Sequence, residues 1–262
     1  MLVDSHAHLS MEAFDHDRDE VIERAFQAGI QAILCPGEVT DPENLSKSLT
    51  LAEDYPNIIA SAGVHPHQAK DCSEQAMKTI EELAGKGLIH AVGEIGLDFH
   101  YNFSSAETQI TTFRRQLRLA ENLKLPVIIH SRMAAEAVTQ ALSQENFTQG
   151  GVLHCFTESF DFAHQMLEHN FYISFSGIVT FPNAQEIRET AAKLPLEKIL
   201  VETDSPFLTP VPHRGKIKRN EPKLVKETAR FLADIKQLSE SEFAHATTQN
   251  FEACFMFEIK NI

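Results

Sequence analysis

Cysteine is scarce in this 262-residue chain, and the four present, Cys35, Cys72, Cys155 and Cys254, are scattered without any CxxC spacing. That excludes a disulfide framework and the common zinc-ribbon and dithiol motifs, and leads us to expect reduced thiols. Long apolar runs are missing too: no stretch reaches the roughly 18 residues needed to span a bilayer, and Met1-Leu2-Val3-Asp4 has neither the basic nor the apolar region of an export leader. The expectation is a cytoplasmic protein with no membrane partner and no obligate protein partner. Proline and glycine number only 11 each and form no linker, and no repeat or low-complexity tract appears, so residues 1–262 read as one domain. Positive charge is short, with 23 Lys and Arg against 37 Asp and Glu and a net charge of −14. Such a surface repels polyanions, so a nucleic-acid substrate would need bound cations or a local basic patch.

What is present is a regular alternation. Eight short apolar or β-branched runs recur at Leu2–Val3, Ala32–Cys35, Ile58–Ala62, Ile89–Val92, Val127–Ile129, Val152–Leu153, Tyr172–Phe175 and Ile199–Val201. Between them lie stretches of helical period, such as Phe113, Leu117 and Ala120 with charged residues facing outward. No Gly-rich phosphate loop follows the first run, which argues against an open dinucleotide-binding sheet. The pattern predicts a (β/α)8 barrel, with one or two covering helices between Asn220 and Phe257.

Metal-capable side chains fall on this map in one way. His6 and His8 follow run 1, Glu94 run 4, His130 run 5, His154 run 6 and Asp204 run 8, each at a carboxyl end, the face that carries the active site in barrels of this type. Alone, each has an ordinary reading: a near pair of histidines by chance, a packed core histidine, or a Thr203-Asp204-Ser205-Pro206 turn. Together they predict a metal centre. Four imidazoles with two carboxylates suit Zn, Mn, Fe or Co by ligand type, whereas Mg prefers more oxygens. Six ligands point to two divalent ions per chain, Zn, Mn or Mg, with Glu94 as the bridge. Asp204 is a ligand, the general base, or both.

At these residues a resemblance becomes visible. DSHAHL (Asp4–Leu9), GVHPH (Gly63–His67), EIGLDF (Glu94–Phe99), IIHSR (Ile128–Arg132), LHCF (Leu153–Phe156), ETDSPFL (Glu202–Leu208) and RNEP (Arg219–Pro222) occur in one order over nearly the whole chain. In this the chain resembles the TatD family of metal-dependent deoxyribonucleases. The resemblance implies an amidohydrolase-type barrel, a two-metal site matching the six residues above, and hydrolysis of DNA phosphodiester bonds, single-stranded DNA from the 3′ end being favoured. Relatives that deacylate aminoacyl-tRNA make an acyl ester or amide the alternative substrate. A metal-holding module without activity is a remoter one. The chain departs from the family pattern at Met133 and His100.

Candidate substrate contacts follow from charge and position. His65 and His67 lie after run 3, Arg132 just past His130, and the basic run His213–Arg219 contributes Arg214, Lys216 and Arg219 beside the expected metals. Glu221 is read as a supporting neighbour, and His16, His90, His164, His169 and His245 as surface or packing residues.

Overall fold

The computed structural model describes residues 2–101 and 103–260. Strands β1 (Leu2–Asp4), β2 (Ile30–Glu38), β3 (Ile58–Gly63), β4 (Ala91–Asp98), β5 (Val127–Arg132), β6 (Gly151–Leu153), β7 (Phe171–Phe175) and β8 (Ile199–Val201) pair in parallel in chain order. Helices α1 (Arg18–Gln27), α2 (Pro42–Asp54), α3 (Glu74–Gly85), α4 (Ala106–Leu123), α5 (Ala135–Gln144), α6 (Phe160–Glu168) and α7 (Gln185–Lys193) connect them. Two more, α8 (Val225–Lys236) and α9 (Glu240–Phe255), cover the end of the chain. This is the expected barrel. Among the described residues, no helix is long and apolar enough to cross a membrane.

The two-residue period of a strand sorts the core into two layers. Val3, Ala32, Leu34, Ile59, Ala91, Ile128, Val152 and Leu200 form one apolar layer, closed from below by Phe251 and Phe255 of α9. The alternate residues, among them Ile33, Val92, Ile129, Leu153 and Val201, pack outward into the larger cluster shared with the helices. One step of two residues further along the strands, the same face becomes polar: Ile128 is followed by His130, Val152 by His154, Leu200 by Glu202. The apolar layer is thus the floor of a polar cup, and the strand period decides which side chains enter it.

Helix ends follow local chemistry. Ser73, Ser105 and Ser159 each accept a backbone N–H in the first turn of α3, α4 and α6, and Ser239 with Glu242 forms a capping box on α9.

One strand differs from the sequence expectation. The fourth was placed at Ile89–Val92, with Glu94 just beyond its end, but β4 runs from Ala91 to Asp98 and Glu94 lies inside it. Glycines at 93 and 96 weaken the propensity signal there, while pairing with β5 carries the strand on, with a register irregularity between Val92 and Ile95. Gly96 sits at φ +135, and a Cβ there would stand 2.1 Å from the carbonyl oxygen of His130. Only glycine lets β4 pass this close to the strand that carries His130.

Candidate metal centre and cavity

The first ligand group is built at the seam where β8 meets β1. Ser5 N–H donates to Val201 O at 3.0 Å, Asp204 N–H to His6 O at 2.9 Å, and His8 N–H to Ser205 O at 2.8 Å. Buried Asp4 accepts Thr203 N–H at 2.8 Å and Thr203 Oγ1–H at 2.5 Å. This interlacing brings His6, His8 and Asp204 into one group although nearly 200 residues separate them. Asp204 itself is left-handed, at φ +53, a conformation aspartate tolerates better than most residues. Asn220 holds it there: its side-chain amide donates to Thr203 O at 3.0 Å and Phe207 O at 2.6 Å, on either side of Asp204.

Glu94 joins this group to a second. Its Oε2 lies 3.3 Å from His6 Nε2 and 3.7 Å from His8 Nε2. Its Oε1 lies 2.8 Å from His154 Nε2, 3.1 Å from His130 Nδ1 and 3.2 Å from His65 Nε2. His8 Nε2 is also 3.2 Å from Asp204 Oδ1 and 3.2 Å from His6 Nε2. The six residues expected from the sequence are therefore brought together, and His65, assigned there to substrate, stands among them.

The donor set tests whether a cation fits. A carboxylate oxygen has two lone-pair sites, yet three imidazole nitrogens crowd Oε1. Two imidazole nitrogens also face each other at 3.2 Å, which requires a proton or a cation between them. Ligands bonded to one ion at about 2.0–2.2 Å stand roughly 3 Å from one another, as these atoms do. Burial opposes charge on Glu94, but the imidazoles of His154 and His130 outweigh it and hold the carboxyl well below its ordinary range. Burial pushes His65 down to about 4, so it is neutral, the form that binds a metal. The residues fit divalent ions.

Asp98 is a further member of the site, at the end of β4, where a strand ending at Val92 leaves no 94, 96, 98 alternation to see. It is buried, accepts the backbone N–H of His100 and Tyr101 at 2.9 and 3.0 Å, and its Oδ2 lies 3.2 Å from His130 Nε2. It lies 3.0 Å from His67 Nε2 as well. It orients His130 so that Nδ1 faces Glu94, the outer support that metal-binding imidazoles commonly have. Behind His154, the buried Glu202 carboxylate lies 3.3 Å from Nδ1 and accepts Cys155 N–H at 2.7 Å.

The cup opens into a cavity of about 840 Å³ lined by His8, His65, Glu94, His130, Asp204 and, toward the rim, Glu38, Tyr101, Arg132 and Phe207. Sites for small or extended ligands are commonly of this size. Arg132 and His67 line it as the sequence suggested, but Arg214, Lys216 and Arg219 are not among its lining residues. Lys216 is exposed, and the Arg214 guanidinium lies 4.0 Å over the Phe181 ring. Arg219 is committed elsewhere, donating to Asp17 at 2.6 and 2.7 Å and to Ala13 O at 2.6 Å, with Glu221 at 3.3 Å. Arg219, expected from the sequence to contact substrate, stands here in an ion-pair network joining α1 to the RNEP segment, in which Arg24 also pairs with Glu221.

That network carries a pH signature. Hydrogen bonds from Arg219, working against burial, hold Asp17 at about 2. Because this lies below its unfolded value of about 4, the pair's stabilisation is complete above pH 4 and is lost as pH falls toward 2. With both side chains at 24% and 20% exposure, solvent screening reduces the effect to about 1 kcal/mol. Urea unfolding of Asp17→Asn is expected to show that deficit at pH 7, narrowing by pH 3; an equal deficit at both would contradict it.

Comparison with known proteins agrees with the geometry. Residues 3–256 match the family model described as TatD related DNase. The metal-dependent hydrolase YabD of Bacillus subtilis is 41% identical over 256 residues, covering 97% of this chain and 99% of the relative. The 3′-5′ ssDNA/RNA exonuclease TatD of Erwinia amylovora is 35% identical over 259 residues, covering 97% and 99%. The crystal structure of YJJV, a TatD homolog from Escherichia coli, superimposes with a TM-score of 0.91 at 30% identity, covering 98% of each chain. Barrel, converging ligands and matched length together place this chain in the TatD-related DNase family of metal-dependent hydrolases.

Proposed function

We propose that the protein hydrolyses nucleic-acid phosphodiester bonds, with single-stranded DNA shortened from its 3′ end. The observation that carries this reading is Glu94, whose Oε2 faces His6 and His8 and whose Oε1 faces His154, His130 and His65. In this reading two divalent ions per chain, Zn, Mn or Mg, would be held among His6, His8, Glu94, His130, His154 and Asp204, with His65 close by. Such ions, when bound, acidify water and offset the charge that develops on phosphoryl oxygens.

The chain's own groups do the rest. Burial would keep Asp204 protonated, but its contact with His8 outweighs that and lowers its pKa, so it is anionic and able to accept a proton at Oδ. His67, which lines the cavity, would contact a phosphate oxygen in this reading. The acidic surface repels DNA elsewhere, so the loaded centre with Arg132 supplies the local attraction. The Erwinia relative's name, an exonuclease on single-stranded DNA and RNA, supports the substrate class and the polarity.

The test is to strip the protein of metal and follow 3′- and 5′-labelled single-stranded DNA as Mg, Mn or Zn is restored, beside Asp204→Ala. Shortening from the 3′ end that returns with metal and is absent in the variant is the expected result. DNA left intact with every metal would overturn the reading and direct it to aminoacyl esters and lactones, since the same centre activates attack on a carbonyl carbon.

A further inference from the structure

The cavity rim carries a feature the hydrolytic centre does not use. Tyr101 and Phe103 follow β4 and are 41% and 57% exposed, in a chain that otherwise buries most of its large aromatic rings. Their rings stack on one another at 5.6 Å and 29°. Arg132, exposed at the end of β5, lays its guanidinium over the Tyr101 ring at 4.9 Å rather than on a carboxylate. His67 meets both rings, edge-on to Tyr101 at 5.6 Å and tilted against Phe103 at 4.8 Å, and lies 6.2 Å from His130. The platform therefore stands one imidazole away from the candidate ligands.

Beside the candidate centre, the exposed part of this pile, chiefly the Phe103 ring, offers a face that a planar ligand can cover. Two roughly parallel rings with a guanidinium in the same pile match a nucleobase attached to a phosphate: the rings stack on the base, and the arginine offers both a cation over a π-face and a fork for an oxyanion. A purely apolar acyl chain would leave the guanidinium without a partner.

We propose that Tyr101, Phe103 and Arg132 form a stacking platform for one base of a single-stranded nucleic acid whose backbone passes the Glu94 centre. This rests on the phosphodiesterase reading and adds to it a binding subsite that selects chains carrying bases without selecting their sequence, because every base offers a π-face. Asp98 couples the two places: it accepts the backbone N–H of Tyr101 while contacting His130, so the platform and the centre are held in register.

The experiment compares a single-stranded DNA oligomer with an abasic oligomer of the same length and charge, using metal-loaded wild type and a Tyr101→Ala/Phe103→Ala double variant. Binding is followed by fluorescence anisotropy and cleavage by gel. Wild type is expected to bind the base-bearing oligomer about 10- to 100-fold more tightly than the abasic one, and the double variant to lose most of that preference. The loss should appear in KM rather than in kcat. Arg132→Gln should weaken both oligomers, since it removes a phosphate contact as well. Equal binding of the two oligomers by wild type, or an equal loss on both in the double variant, would overturn the platform even if DNA is cleaved. A preference for bases without cleavage of either oligomer would instead overturn the phosphodiesterase reading and leave the platform standing.

Discussion

Glu94→Gln is expected to remove turnover almost entirely, by about 1000-fold or more, and to lower the metal content of the purified protein. The substitution preserves the size of the side chain and one carbonyl oxygen. It removes the negative charge that five imidazole nitrogens approach within 3.7 Å, and turns one of the two oxygens into a donor facing nitrogens that must be lone-pair ligands. In the proposed centre, loss of the shared ligand would forfeit the several kcal/mol of charge stabilisation that bound ions contribute at a phosphoryl group, and each 1.4 kcal/mol is tenfold in rate. Metal content by mass spectrometry, turnover with metal restored, and the rise in melting temperature on metal addition should fall together. A variant that kept its metal and lost only turnover would assign Glu94 to proton transfer instead; one that kept both would remove it from the centre.

The second large effect is expected away from the ligands. Asn220 is fully buried, and its amide satisfies the carbonyls of Thr203 and Phe207, which bracket left-handed Asp204. Asn220→Ala leaves both carbonyls without that donor at about 1–3 kcal/mol each. For a chain of this size, that lowers the melting temperature by roughly 4–20 °C. It also releases the turn that points Asp204 at His8, so turnover should fall further than loss of folded protein explains. Asn220→Asp keeps the volume and the acceptor for Glu221 N–H but cannot donate, and should fail in the same way. If Asn220→Asp behaved as wild type, the two donated bonds would have no part in holding Asp204.

Much of this was legible from residue order alone. Eight apolar runs separated by helical periods specify eight parallel strands, because a two-residue repeat can bury one face against a floor and the other against helices. The parity of those runs also shows why His130 and His154 enter the cup, each standing two residues beyond a floor residue. Legibility failed where pairing overrode propensity. Asp98 and the length of β4 were hidden because Gly93 and Gly96 are poor strand formers, and only β5 alongside keeps that backbone extended. It failed again at the basic run. Arg219 looks free in sequence, but the fold sets it beside Asp17, 202 residues away, where its guanidinium is already paired.

By itself, then, the sequence determined the barrel, the family and the six side chains that converge, since these depend on local period and on strand ends that parallel pairing must gather. The tertiary structure decided how they are used. It drew His65 in beside Glu94, placed Asp98 behind His130, tied Asn220 to the Asp204 turn, engaged Arg219 with Asp17, and left Tyr101 lining the cavity with Phe103 exposed beside it. Each of those outcomes depends on distances between segments far apart in the chain, which closure of the barrel sets and no local pattern encodes.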